Sequence, residues 1–267
     1  MNKNKYFKAF VDVSNFFLKK DEAKQEYEYL TNRISPDYID KFQFGYSPSD
    51  YVQTIKFIDE FGKIVKEEPI PILKELGAIY VTEKYNKIVP KFKYHKLLIP
   101  FYDVYGNVVS VVGRTILNEE ERKELDISKY NYITFNKRKH IYGLNFSCKN
   151  MLMKDYAVIV EGQFDFLSGF VNGIDNIAAL GGSKFTFEHV ALLKRFTNNF
   201  YVLFDNDEAG EKGMESIKKN ATKYGIKVYQ LALPKEFKDL DEYLKANKID
   251  DIREFVLWFS FRPIHYH

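Results

Sequence analysis

The second half of the chain is patterned by four short apolar runs: AVIV (157–160), NIAAL (176–180), FYVLF (200–204) and KVYQLAL (227–233). Each is followed by a segment that can be helical. Strands alternating with helices predict a parallel sheet with covered faces. In such sheets ligands bind beyond the carboxyl ends of the strands. The first half is patterned differently. Residues 1–90 read as mostly helical, with breaks. DEAKQEYEYLTNR (21–33) has helix-favouring composition, and Ser35 followed by Pro36 is a helix start. FGYSPSD (44–50) reads as loop. KLLIPFYDVYGNVVSVVGRTI (96–116) is rich in strand formers, with DVYGN as the turn of a hairpin. The fold class expected is α/β, a parallel sheet flanked by helices and preceded by a mixed α+β part.

Composition adds limits. The 267 residues are 45% hydrophobic and 29% charged, which fits a globular chain with a substantial core. The net charge of +3 is uninformative, but its distribution is uneven. Residues 1–150 carry 25 Lys and Arg against 20 Asp and Glu; residues 151–267 carry 15 against 17. From 127 to 154 there is no acid at all. A basic half joined to an acidic half suits a polyanion on one side and metal on the other. The single cysteine, Cys148, excludes an internal disulfide and a Cys-rich zinc site. The five histidines (His95, His140, His189, His265, His267) lack metal-ligand spacing. The charged N-terminus carries no signal-peptide core, and no apolar run reaches the roughly 20 residues of a membrane span. The compartment expected is the cytoplasm.

The acids fall where a parallel sheet would bind a ligand. Glu161 follows the first run, with Asp165 four residues on; Asp205 and Asp207 follow the third; Asp239 and Asp241 follow the fourth. Six carboxylates at sheet ends would raise one another's pKa values unless cations neutralised them. Hard cations such as Mg²⁺ or Mn²⁺ take such oxygen ligands and share substrate phosphates. Taken singly, Asp207 would cap a helix beginning near Glu208, and Asp241 one at EYLKAN. Taken as a set, the acids read as metal ligands.

The stretch 158–244 resembles a TOPRIM domain, the metal-binding fold shared by bacterial DnaG-type primases, topoisomerases and some nucleases. VEGQFD resembles the family's Glu-Gly-x-x-Asp element, FDNDEAG its Asp-x-Asp-x-Ala-Gly element, and KDLDEYL its third acidic element. The resemblance implies Mg²⁺ held by the acids, an acid/base role for Glu161, and close helix packing at Gly210.

Upstream, YLTNRISPDYIDKFQFGYSP (29–48), the 96–116 hairpin ending in Gly-Arg, IYGL (141–144) and AALGGSKFTFEHVALLKRF (178–196) resemble the DnaG-type primase polymerase core, in order over about 29–245. The resemblance carries five basic positions near nucleotide and template phosphates: Arg33, Lys96, Arg114, Lys129 and Lys137. The stretch 129–149 interleaves five cations with Tyr130, Tyr132, Phe135, Tyr142 and Phe146. Cations can neutralise phosphates while rings stack bases, and Tyr142 and Phe146 are expected in the core. NYIT is shorter than the family's corresponding loop, Gly181-Gly182-Ser183 replaces Gly-Thr-Ala, and Leu240 replaces a proline.

The resemblance therefore implies a primase catalytic core of the kind a phage or other mobile element carries. Its expected domains are 1–150 (basic subdomain), 151–248 (TOPRIM domain) and 249–267 (helical tail, with a stripe of Ile252, Phe255, Val256 and Phe259). Glu161, Asp205 and Asp207 are the expected catalytic acids. The expected activity is synthesis of short RNA primers on single-stranded DNA from nucleoside triphosphates, with Mg²⁺ or Mn²⁺. No counterpart of the family's zinc-binding or helicase-binding domain is expected, so a replicative helicase or other replication protein would act in trans. A TOPRIM nuclease and a non-catalytic single-strand-binding subunit are the alternative readings.

Overall fold

The structure, a computed structural model, describes residues 3–133, 135–182 and 185–247. The expected tail at 249–267 lies outside them. By internal contacts the chain divides into two compact units, Met1–Phe101 with Asn107–Phe135, and Tyr102–Gly106 with Asn136–His267. The boundary expected at 150 falls inside a helix of the second unit.

The first unit opens with α1 (Lys3–Leu18). It buries Phe7, Phe10, Val11, Ser14, Phe17 and Leu18, the spacing of one helical face. A 3₁₀ turn at Asp21–Ala23 leads into α2 (Lys24–Thr31), then α3 (Pro36–Phe42). Pro36 stands in the first turn, where its missing N–H costs nothing, and Gln43 ends the helix in a left-handed conformation. β1 (Gly45–Tyr46) falls within the stretch expected as loop. Two residues carry no readable period, and the strand is defined by its antiparallel pairing across the molecule. The Asp50 carboxylate accepts from the Gln53 backbone N–H and starts α4 (Tyr51–Val65); α5 (Pro69–Leu76) follows. The rings of Phe10, Phe17 and Phe57 join α1 to α4.

β2 (Ile79–Val81) and β3 (Ile88–Pro90) form a separate antiparallel hairpin. The main sheet of this unit has β4 (Leu97–Tyr102), β5 (Val108–Arg114) and β6 (Tyr130–Tyr132) in the order β1-β4-β5-β6. β4 and β5 are the arms of the expected hairpin, and α6 (Glu119–Glu124) lies in the connection to β6, started by an Asn118–Glu121 capping box.

The second unit holds α7 (Leu144–Lys154), β7 (Ala157–Val160), α8 (Gln163–Val171), β8 (Ile177–Ala179), α9 (Phe187–Leu193), β9 (Asn199–Leu203), α10 (Glu208–Thr222), β10 (Lys227–Gln230) and α11 (Leu240–Ala246). All four apolar runs form strands. They pair in parallel in the order β10-β9-β7-β8. Burial on both faces explains why β7, β8 and β9 read as apolar runs rather than alternating strands. Ile159, Ala178, Phe200 and Val202 pack with Leu144, Met151, Val190, Leu193, Met214 and Ile217 in one core. The chain ahead of α7 also joins the sheet, because Tyr142 and Ala179 exchange both backbone hydrogen bonds, at 2.8 and 3.0 Å. Gly143 then turns with φ +80°, and any Cβ there would overlap the Phe166 ring. Tyr142 is buried, as expected; Phe146 is only partly so, its ring edge-on to Tyr102 and Phe170. Among the described residues no helix is long and apolar enough to cross a membrane.

Candidate active site

The strand order places the acids. β8 lies on one side of β7 and β9 on the other, so the winding reverses at β7. In open α/β sheets such a reversal is where ligands bind, beyond the carboxyl ends of the strands, here β7 and β9. Val160 pairs with Leu203 across these strands. Glu161, one residue past β7, and Asp205, two past β9, therefore leave neighbouring strands at the same end.

Glu161 is half-buried, and its backbone carbonyl accepts from the N–H groups of Gly181 and Gly182 at 2.9 and 3.3 Å. Its Oε2 atom is buried and has no hydrogen-bond partner within the protein. Burial, then the charges of Asp205 and Asp207, push its carboxyl up to about 7, against the pull of Lys238. Asp207 is exposed and caps α10, accepting from the Gly210 N–H at 2.9 Å. Gly210 is the place where the helix passes the strand end: a Cβ there would overlap the Asp205 carbonyl oxygen.

Asp165 has a different environment. It is 8% exposed, and both oxygens accept backbone hydrogen bonds, from Gly162 at 3.1 Å and from Asp241 at 3.2 Å. It thereby ties the start of α8 to the first turn of α11. Burial is the main cause that pushes its carboxyl up to about 7, and Asp239 and Asp205 add to it. Asp239 is the cap of α11, accepting from the Glu242 N–H at 2.8 Å. This corrects the expectation that Asp241 holds that position. Asp241 lies one turn-position further in, where it accepts from the Ser168 hydroxyl and pairs with Lys245.

Two neighbours carry no signal of their own in the sequence. Asn206 stands between the two aspartates. Its backbone N–H donates to the Lys238 carbonyl at 2.9 Å, and its side-chain amide donates to the carbonyls of Phe237 at 2.8 Å and Pro234 at 3.4 Å. Lys238 supplies a positive charge that lowers the Glu161 carboxyl, against burial and the neighbouring aspartates. Both lie inside quoted acidic elements, but their partners are about thirty residues away along the chain, which no local spacing reveals.

The donor set suits a hard divalent cation. An unpartnered buried carboxylate oxygen and acids that raise one another's pKa values are the signs of a site built for positive charge. Among the described residues no group of three or more acids, histidines or cysteines is arranged around one point. Mg²⁺ does not need one, since it binds through one or two carboxylates and fills its shell with water and phosphate oxygens.

Four of the five expected basic residues belong to the first unit. Arg33 and Arg114 meet at Tyr29. The Arg33 guanidinium lies 3.7 Å from the Tyr29 ring centre and donates to its carbonyl, while Arg114 donates to the hydroxyls of Tyr29 and Tyr130. Arg114 is 8% exposed. Lys129 lies over the Tyr130 ring, and Lys96 faces the buried Glu26, whose carboxyl burial raises and Lys96 lowers. Tyr132 and Phe135 stack beside them, partly exposed. Lys137 is in the second unit, in a 3₁₀ turn whose Lys137 carbonyl contacts the His189 ring nitrogen at 3.1 Å; burial lowers the Lys137 pKa.

The comparisons with known proteins agree with this geometry. Residues 14–147 match the DNA primase catalytic core, N-terminal domain, and residues 158–244 match a Toprim-like family. The DNA primase of Aquifex aeolicus is 31% identical over 263 residues, 94% of this chain and 49% of that protein. The crystal structure of the Aquifex aeolicus primase zinc-binding and RNA polymerase domains is 28% identical, covers 97% of this chain and 62% of that one, and superposes with a TM-score of 0.78. A DnaG primase catalytic domain solved bound to single-stranded DNA shares the fold at a TM-score of 0.79 and 21% identity, over 96% of this chain and 80% of that one. The chain spans 36% to 49% of the length of the first curated primases it matches. A primase N-terminal domain match over half the sequence, followed in order by a Toprim sheet with its acids at the strand ends, places this chain in the family of DnaG-type primases.

Proposed function

We propose that this chain is a primase catalytic core, a DNA-directed RNA polymerase that joins ribonucleoside triphosphates into a short primer on a single-stranded DNA template. The observation that carries the reading is Glu161, whose buried, unpartnered oxygen sits at the sheet reversal beside Asp205 and Asp207. Glu161, Asp205 and Asp207 would hold Mg²⁺ (or Mn²⁺), with Asp239 contributing from the start of α11. Bound there, the metal would supply electrostatic stabilisation of the reacting phosphate oxygens. Asp165 and Asp241 serve the site by fixing α11 against α8, since their oxygens already accept hydrogen bonds or pair with Lys245.

The basic residues act on the other ligands. Arg33, Arg114 and Lys129, with the part-exposed rings of Tyr130, Tyr132 and Phe135, suit phosphates and bases of a single strand or nucleotide. Lys96 and Lys137 add charge, and the lowered pKa of Lys137 reflects burial that a phosphate would offset. A replicative helicase or other replication protein is the partner this role calls for. A Toprim nuclease would use the same acids, but the match of residues 14–147 to a primase domain favours polymerisation.

Labelled nucleotide incorporation on single-stranded DNA tests the reading. Incorporation that requires Mg²⁺, depends on template and disappears in Glu161→Gln supports it. DNA cleavage without incorporation would replace it with the nuclease.

A further inference from the structure

Three of the six exposed tyrosines among the described residues lie within fifteen positions of one another: Tyr80 (51% exposed), Tyr85 (73%) and Tyr94 (40%). They sit on the β2–β3 hairpin and the segment after it. Residues 80–94 also hold Lys84, Lys87, Lys91 and Lys93 against one acid, Glu83. Among the described residues none of these lysines pairs with a carboxylate. Three lie over tyrosine rings instead, Lys84 over Tyr85, Lys91 over Tyr80 and Lys93 over Tyr94, at 5.1, 5.6 and 4.9 Å from the ring centres. Lys91 also donates to the Tyr80 hydroxyl at 3.0 Å.

The hairpin is well fixed. Thr82 and Lys87 close its turn through the Thr82 N–H to the Lys87 carbonyl and the Lys87 N–H to the Thr82 hydroxyl, both at 3.0 Å. It is also continuous with the basic and aromatic surface of the first unit. The Asn131 amide, between Tyr130 and Tyr132, donates to the Lys91 carbonyl at 3.3 Å, and the His95 ring contacts the Ser128 carbonyl at 2.8 Å, next to Lys129.

We propose that the β2–β3 hairpin is an additional single-stranded DNA contact, which extends the surface of Lys129 and Tyr132 with Tyr80 and Tyr85 as stacking platforms and Lys84, Lys87 and Lys91 as phosphate contacts. Unpaired cations set against exposed rings are what a flexible polyanion with unstacked bases requires. A duplex offers the phosphates but hides the base faces, so the rings select the single strand. The inference rests on the template-binding reading above.

The test is fluorescence anisotropy of a labelled oligo(dT) of about 30 nucleotides, long relative to typical single-strand sites, titrated with the whole chain over a salt series. Tyr80→Ser/Tyr85→Ser should weaken binding about tenfold with an unchanged salt slope, because stacking is lost and no phosphate contact is. Lys84→Gln/Lys87→Gln should make the slope shallower by about 1. Neither pair should melt earlier by more than an exposed substitution usually allows, since all four side chains are exposed. If the hairpin variants bind as wild type does while Lys129→Ala loses affinity, the hairpin proposal falls and the template reading stands. If the tyrosine variant loses duplex binding as much as single-strand binding, the assigned partner is wrong. If the wild-type chain does not bind oligo(dT), both readings fall.

Discussion

Gly210 of α10 lies against the backbone of Asp205, with its Cβ position 3.2 Å from the Asp205 nitrogen and 3.1 Å from the carbonyl carbon. A methyl group would meet main chain, which cannot swing aside as a long side chain does. Gly210→Ala is therefore expected to cost about 1–3 kcal/mol and to displace Asp205 and the Asp207 cap together. Chemical denaturation and nucleotide incorporation read the two effects. Wild-type activity in a fully stable variant would show that the close approach is unimportant.

Asp205→Ala and Glu161→Gln each remove a carboxylate charge from the proposed metal site without opening the core. Each should reduce nucleotide incorporation by roughly a hundredfold or more. Without metal the variants should melt no lower than wild type, because each removes a charge that its neighbours repel. Calorimetric Mg²⁺ titration of the same proteins should lose its signal in step with activity.

The pH dependence of stability follows from two raised carboxyls. Glu161 and Asp165 each titrate near 7 in the folded protein, from ordinary values of 4.5 and 3.8. Between those values the folded state binds more protons than the unfolded one. The stabilisation these groups give is present below about pH 4 and is lost as pH rises through 7. The metal-free protein should accordingly lose melting temperature from this pair between pH 5 and pH 8. Saturating Mg²⁺ should flatten the slope by stabilising the ionised acids. A metal-independent slope would mean that the cation does not bind among them.

Arg114→Lys keeps the charge but cannot hold the Tyr29 and Tyr130 hydroxyls at once, as the planar guanidinium does. With the site 8% exposed, the loss should be about 1–3 kcal/mol, together with weaker template binding. An equilibrium unfolding curve that overlays wild type would refute the clamp.

Asn206→Ala cuts two side-chain hydrogen bonds that hold the 234–238 loop, while leaving the backbone bond to Lys238. Mg²⁺ affinity should fall about tenfold through misplacement of Asp239 and Lys238. Asn206→Asp, which cannot donate, should behave like the alanine variant.

The parts of this fold that the sequence shows are those governed by burial or by local chemistry. AVIV, NIAAL and FYVLF are legible because a parallel strand covered on both faces has no polar positions to interrupt it. The Ser35-Pro36 start is legible because proline fixes the first turn. β1 is not legible, since its two residues are strand only by pairing with Leu97 and Leu98. The six acids stand out as a set, yet their separate roles do not. Asp239 rather than Asp241 caps α11, and Asp165 spends both oxygens on backbone N–H groups, distinctions of one residue or one oxygen that composition cannot resolve. Asn206 and Lys238 gain their importance from a loop that returns to the strand end only in three dimensions.

The Tyr142–Ala179 pairing has a further consequence. A sheet margin with unused donors and acceptors is a template onto which another chain can add, and proteins guard against it. In the second unit the β8 margin is occupied by the protein's own backbone at Tyr142, locked there by the Gly143 turn against Phe166. The opposite margin, β10, is only four residues long and displays Lys227 and Gln230 outward. A sheet with Ile, Val and Phe at its centre is thereby protected against self-association at its margins, by a stopper on one side and by shortness and charge on the other.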